Sequence, residues 1–126
     1  LLAEGGDAIE GPFDGEEGIT LLADLDAGAT GTMTSALAPD LIGPVLRAHL
    51  AGDRDAAAAG YARVLPLINH ENRQCGFRAA KAVLKAGGVI GSDFCRHPIA
   101  PLPEPSRAEL LRLARALDVL ALRWAA

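Results

Sequence analysis

Lys81 and Lys85 are the first residues in this chain that could do covalent chemistry. A lysine attacks a carbonyl only when desolvation or a cationic neighbour frees its amine near neutral pH. Both lie on a charged stretch with helical spacing, so neither is expected to be a nucleophile. His49, His70 and His97 share no metal-ligand spacing, and neither do Cys75 and Cys95. The acidic, glycine-rich run Asp7 to Glu17 lacks the alternating ligands of a calcium loop. No metal site is expected. Glu4 could transfer a proton or bind a hydroxyl, and Gly5-Gly6 would let a ligand approach the main chain. The same three residues also read as a plain βα turn carrying a solvated acid.

The elements that would position these groups begin with Leu1-Leu2-Ala3, read as the end of a buried strand. Ala8 to Gly15 reads as a loop, punctuated by Gly11, Pro12 and Gly15. Glu16-Glu17 suit the first turn of a helix, whose apolar face is Ile19, Leu21, Leu22 and Leu25 and whose stop is Gly28. Thr30 to Ser35 is the second strand. Pro39 opens the next helix, faced by Leu41, Ile42, Val45, Leu46, His49 and Leu50. Asp53 caps another helix running to about Asn72, which Pro66 should bend or divide. A helix over about Gly76 to Ala86 is closed by Gly87-Gly88. Four prolines between Pro98 and Pro105 form an extended strap. Ser106 and Glu109 make a capping box for the last helix, striped by Leu110, Leu113, Leu117, Leu120 and Trp124.

Two parallel strands are not a stable sheet. The order β-α-β-α followed by three helices therefore predicts an incomplete β/α architecture. Leu1 sits inside an apolar run and looks like a cut edge. The 126 residues suffice for one domain, and half are apolar. Charge is uneven: residues 1–46 hold nine acids and no Lys or Arg, whereas 47–126 hold twelve basic residues and seven acids. That pattern fits solvated helix faces. A nucleic-acid surface needs a denser basic stripe with aromatics, so no nucleic-acid partner is expected. No apolar run reaches the roughly 20 residues of a membrane span, so no membrane partner is expected. Two thiols and no secretory signal predict a reduced, cytoplasmic setting.

Three ordered motifs carry a resemblance: Gly28-Ala-Thr-Gly31 running into Thr32-Met33-Thr34; Gly52-Asp53 opening a helix that leads to Leu65-Pro66-Leu67; and Lys81 to Gly88 followed by Arg96-His97-Pro98. Together they resemble the C-terminal part of the dihydrodipicolinate synthase / N-acetylneuraminate lyase family. The segment Gly15 to Gly31 is most similar to the branch that dehydrates 2-keto-3-deoxy sugar acids such as 2-keto-3-deoxyarabonate. The family's Asn-Pro pair is replaced around Cys75-Gly76-Phe77.

The resemblance implies the last two β/α units of a (β/α)8 TIM barrel over residues 1–52, and a three-helix C-terminal extension over 53–126. It implies a class I lyase on a small 2-keto acid substrate, with a Schiff-base lysine and a proton-moving tyrosine upstream of Leu1 and so no catalytic residue in this chain. No metal or organic cofactor is implied, and the assembly would be a homo-oligomer, tetrameric as in the family. Substrate-binding positions would be Glu4, Gly5 and Gly6 after one strand and Met33 and Thr34 on the next. The alternatives are an aldol-type lyase or synthase of the same family, a non-catalytic helical interaction module, and an enzyme of another class using His70 or Cys75.

Overall fold

The computed structural model describes residues 2–8, 11–96 and 98–124. Its elements are α1 (Leu2–Gly5), β1 (Phe13–Asp14), α2 (Leu21–Asp26), β2 (Gly31–Thr32), α3 (Pro39–Leu50), α4 (Arg54–His70), α5 (Arg78–Ala86), α6 (Glu104–Ala116) and α7 (Leu120–Arg123). A π-helical turn, Glu71–Cys75, continues α4.

β1 and β2 pair in parallel, Phe13 opposite Gly31 and Asp14 opposite Thr32. Glycine is required opposite Phe13, because a Cβ at Gly31 would collide with the aromatic ring. The first strand therefore lies some ten residues later than its expected position. Leu2-Ala3 is helical, not extended, and Leu1 lies outside the described residues. A run of three apolar residues ends a helix as readily as a strand, so periodicity alone does not separate them. The real strand was hidden between Gly11-Pro12 and Gly15.

Glu16 and Glu17 precede α2 in a tight 3-10 turn instead of opening that helix. Gly28 ends α2 at φ +103°, where the Ala29 N–H reaches back to the Asp24 carbonyl. α3 starts at Pro39, as its sequence requires. Asp53 caps α4 by accepting from the Ala56 N–H at 3.0 Å. Pro66 does not divide α4, which runs through it to His70. The capping box at Ser106 does not form: α6 starts at Glu104, so Ser106 falls inside the helix. The final stripe is also broken, because the chain turns at Asp118 (φ +54°) and resumes as α7. The described residues from 53 onward thus hold four α-helices, not three. Leu120 and Trp124, expected on the apolar stripe, are exposed.

Two cores hold the elements together. Leu21, Leu25, Ile42, Val45, Tyr61, Val64 and Ile68 join α2, α3 and α4. Leu37, Leu67, Cys75, Val83, Leu110 and Val119 join the helices that follow. Leu41 and Leu117 pack against both. α5 ends against the backbone of α7 at Gly87, where a Cβ would strike the Ala121 carbonyl.

Candidate functional site at the strand exits

Because β1 and β2 run parallel, both leave the sheet at the same end. β1 exits into Gly15 and the turn Glu16–Gly18; β2 exits into Met33, Thr34 and Ser35. Side chains alternate across a strand. Asp14 and Thr32 point to the α2 side, where the buried Asp14 carboxyl accepts from Thr32 Oγ1 at 2.6 Å. Phe13, and Met33 just past β2, belong to the other face and are 59% and 67% exposed. Apolar side chains this open mark the face that no described element covers.

Thr20 Oγ1 stands between two acids, 2.6 Å from Asp24 Oδ2 and 3.2 Å from Asp14 Oδ1. Burial pushes the Asp14 carboxyl up, against the lowering effect of the Thr32 hydroxyl. The Thr20 bond holds Asp24 down.

The π-helical turn brings a third segment to the exits. Asn72 Nδ2 donates to Glu17 Oε2 at 3.1 Å and to the Glu16 carbonyl at 3.3 Å. Thr34 Oγ1 donates to the Glu17 carbonyl at 3.4 Å. Glu71 is buried, 4% exposed. Burial raises its pKa to about 7; the Ser35 hydroxyl lowers it and the Glu17 charge raises it further. Glu16 and Glu17 take φ +50° and +59°. Such left-handed backbone costs non-glycine residues energy and is concentrated at functional sites.

Of the residues singled out from sequence, Met33 and Thr34 lie at these exits. Glu4, Gly5 and Gly6 do not join them: they precede β1 and so lead toward its entry end. Phe13, Glu17, Ser35, Glu71 and Asn72 were missed. Glu71 had a usable signal, since it lies three and four residues after the buried Ile68 and Leu67. His70 bonds the Ser106 carbonyl at 2.9 Å and ties α4 to α6. Asp26 bonds His49 and Arg54.

Lys81 Nζ donates to the Phe94 carbonyl at 2.6 Å and Lys85 Nζ to Asp93 at 2.7 Å, so both lysines brace the segment that leads into the strap. A cleft of about 470 Å³ lies beside the strap, far from the strand exits in sequence, and Arg78, Lys85 and Arg107 on its wall already bond the chain itself. Among the described residues no cluster of three His, Cys, Asp or Glu could hold a metal ion. No described helix is long and apolar enough to cross a membrane.

Residues 12–117 match the model of the dihydrodipicolinate synthetase family. The chain belongs to that family. The chain is 60% identical to L-2-keto-3-deoxyarabonate dehydratase from Azospirillum brasilense over 99% of its own length and 40% of that protein's. It is 36% identical to 4-hydroxy-tetrahydrodipicolinate synthase from Acidiphilium cryptum over 81% of its own length and 35% of that protein's. The crystal structure of dihydrodipicolinate synthase from Rhodopseudomonas palustris superposes with a TM-score of 0.75 at 34% identity, covering 82% of this chain and 35% of that one. The family member described here thus spans two-fifths or less of each relative.

Proposed function

We propose that this chain is the C-terminal portion of a Schiff-base-forming lyase that dehydrates a 2-keto-3-deoxy sugar acid. The observation that carries this reading is the gap in identity between the two relatives, 60% to the dehydratase against 36% to the synthase. β1 and β2 are then the last two strands of a (β/α)8 barrel, whose last two β/α units begin at β1 within residues 1–52, and 53–126 is a helical extension. The uncovered face bearing Phe13 and Met33 becomes barrel interior. The strand exits become part of the catalytic end, where such barrels place their sites. The parent protein is proposed as a cytoplasmic homo-oligomer.

The nucleophilic lysine and the proton-moving tyrosine belong to the upstream barrel. The lysine forms an iminium with the keto carbon, and this electron sink acidifies the neighbouring carbon. Dehydration then breaks a carbon–oxygen bond, and the departing hydroxyl needs a proton. In this chain, Met33 and Thr34 shape the pocket wall. Glu4, Gly5 and Gly6 receive no substrate role in this reading, given their position before β1.

The test uses the full-length protein carrying this chain. Incubation with 2-keto-3-deoxyarabonate should release water and form a new carbonyl product, and borohydride should trap a keto-acid adduct on an upstream lysine. Condensation of pyruvate with an aldehyde, without dehydration, would favour the synthase alternative. An adduct on Lys81 or Lys85 would overturn the site assignment.

A further inference from the structure

We infer that Asn72 is a positioning residue for this reaction: its amide, carried by the helical extension, clasps the turn at the exit of β1 and holds the Glu17 carboxylate there. The inference rests on the proposed dehydratase reading. It is carried by direct contacts between three segments far apart in sequence. Asn72 Nδ2 has two protons, and donates to Glu17 Oε2 at 3.1 Å and to the Glu16 carbonyl at 3.3 Å. Thr34 Oγ1, at the β2 exit, donates to the Glu17 carbonyl at 3.4 Å. Glu17 is thus gripped at its side chain from the extension and at its main chain from the neighbouring strand. The π-helical turn is what brings Asn72 there. Its bond from the Gly76 N–H to the Glu71 carbonyl, 2.7 Å long, spans five residues and takes the chain after His70 off the α-helical register. Glu71 and Cys75 are then buried, while Asn72, half-buried, reaches the exits. Such turns are frequent at functional sites.

Two features of the clasp go beyond packing. The first is the backbone it holds. Glu17 takes φ +59°, a conformation that glycine adopts at least cost. A glutamate there spends strain on placing a carboxylate, and such strain persists only where the surroundings over-determine it. The second is that the clasp is neutral. Arg73, the next residue, reaches only Glu16, at 3.9 Å and in the open, where an ion pair contributes little. A cation on Glu17 would offset its charge, whereas an amide fixes one carboxylate oxygen and leaves the charge in place. A carboxylate kept charged at the catalytic end is matched to a reaction that passes through a cationic iminium.

The experiment compares the full-length protein with Asn72→Asp and Asn72→Leu, two variants of nearly the same size that lack the donor. It reads dehydration kinetics, borohydride trapping of pyruvate on the upstream lysine, and backbone hydrogen exchange. Asn72→Asp sets a second carboxylate against Glu17 and should lower kcat/KM for dehydration about a hundredfold, whereas Asn72→Leu only loses the bonds and should lower it about tenfold. Packing alone predicts the reverse order, because Asp is the closer to Asn in shape. Pyruvate trapping should stay as in the wild type, since the lysine lies outside the clasp. Exchange should quicken at Gly18 and Ile19, whose N–H groups bond within the clasped turn, and stay unchanged across α5 and α6. A wild type without dehydratase activity overturns the function proposed above; quickened exchange at Gly18 and Ile19 still upholds the clasp, and unchanged exchange overturns it. With an active wild type, a milder loss in Asn72→Asp than in Asn72→Leu, or trapping that falls in step with dehydration, assigns Asn72 to the fold and overturns its positioning role.

Discussion

The strand exits and the strap beneath α5 and α6 handle their acids in opposite ways. At the exits, Asp14 and Glu71 are buried among hydroxyls and other acids, and burial raises both pKa values. Just before the strap, Asp93 sits between Lys85 and Arg107, whose bonds hold its carboxyl well below the usual range. The backbone follows the same division. Glu16 and Glu17 carry positive φ at the exits, whereas Arg78 braces a strap carbonyl and Lys81 one just before the strap. One region holds unfavourable groups in place; the other pairs its groups to hold the chain together. That contrast is what separates a site from a scaffold.

The scaffold side should yield the largest loss of stability. Leu110, on α6, is fully buried in the second core. Leu110→Ala should cost about 3 kcal/mol through lost transfer energy and a cavity, read as a shift in the urea midpoint. A loss below about 1 kcal/mol would mean that the helices do not share this core.

The site side should respond in the opposite direction. The Glu71 carboxyl binds its proton more tightly folded, with a pKa near 7, than unfolded, near the ordinary 4.5. Between those values the native state holds more protons than the unfolded chain, so stability falls as pH rises from about 4.5 to 7 and then levels. Glu71→Gln should remove that decline and stabilise the protein at pH 8 by about 2 kcal/mol. A Gln variant less stable than wild type at pH 8 would place Glu71 with the scaffold and erase the contrast.

The scaffold was also the more legible region. α3 announces itself by Pro39 and its apolar face, and α4 by Asp53. Gly28 and Gly87 follow helices whose periodicity is plain. These signals are local, so a single stretch of sequence carries them. The exits are built from non-local partners. β1 is two residues long, and its pairing to Gly31 is set by the close approach of Phe13, which no local pattern encodes. Glu71 stands among His70, Asn72 and Arg73, so it reads as solvent-facing until its spacing from Leu67 and Ile68 is weighed. Ser106 shows the opposite failure. Its capping pattern is present, but Glu104 and Pro105 already occupy the first turn of α6.

Helix capping gives a smaller effect on the scaffold side. Asp53→Ala removes the acceptor for the Ala56 N–H and should cost about 1 kcal/mol. Hydrogen exchange should show the loss first in the opening turn of α4, with the strand exits unaffected. Faster exchange at Glu16–Gly18 in this variant would show that the two regions are coupled through α4.

The smallest effect should come from Asp93→Asn, although Asp93 has two cationic partners. Lys85 is exposed and Arg107 only partly covered, so water screens both pairs. Such pairs contribute no more than about 1 kcal/mol. The pH dependence has the opposite sign to that of Glu71. Asp93 has a lowered folded pKa, so its contribution is complete above the ordinary carboxylate range and is lost as pH falls toward the folded value. Wild type and Asp93→Asn should therefore differ slightly at pH 7 and converge in acid, whereas wild type and Glu71→Gln differ most at pH 8. If Asp93→Asn instead matched Leu110→Ala in size, the strap pairing would be a main source of stability, and the division between a paired scaffold and an unpaired site would have to be drawn by energy as well as by charge.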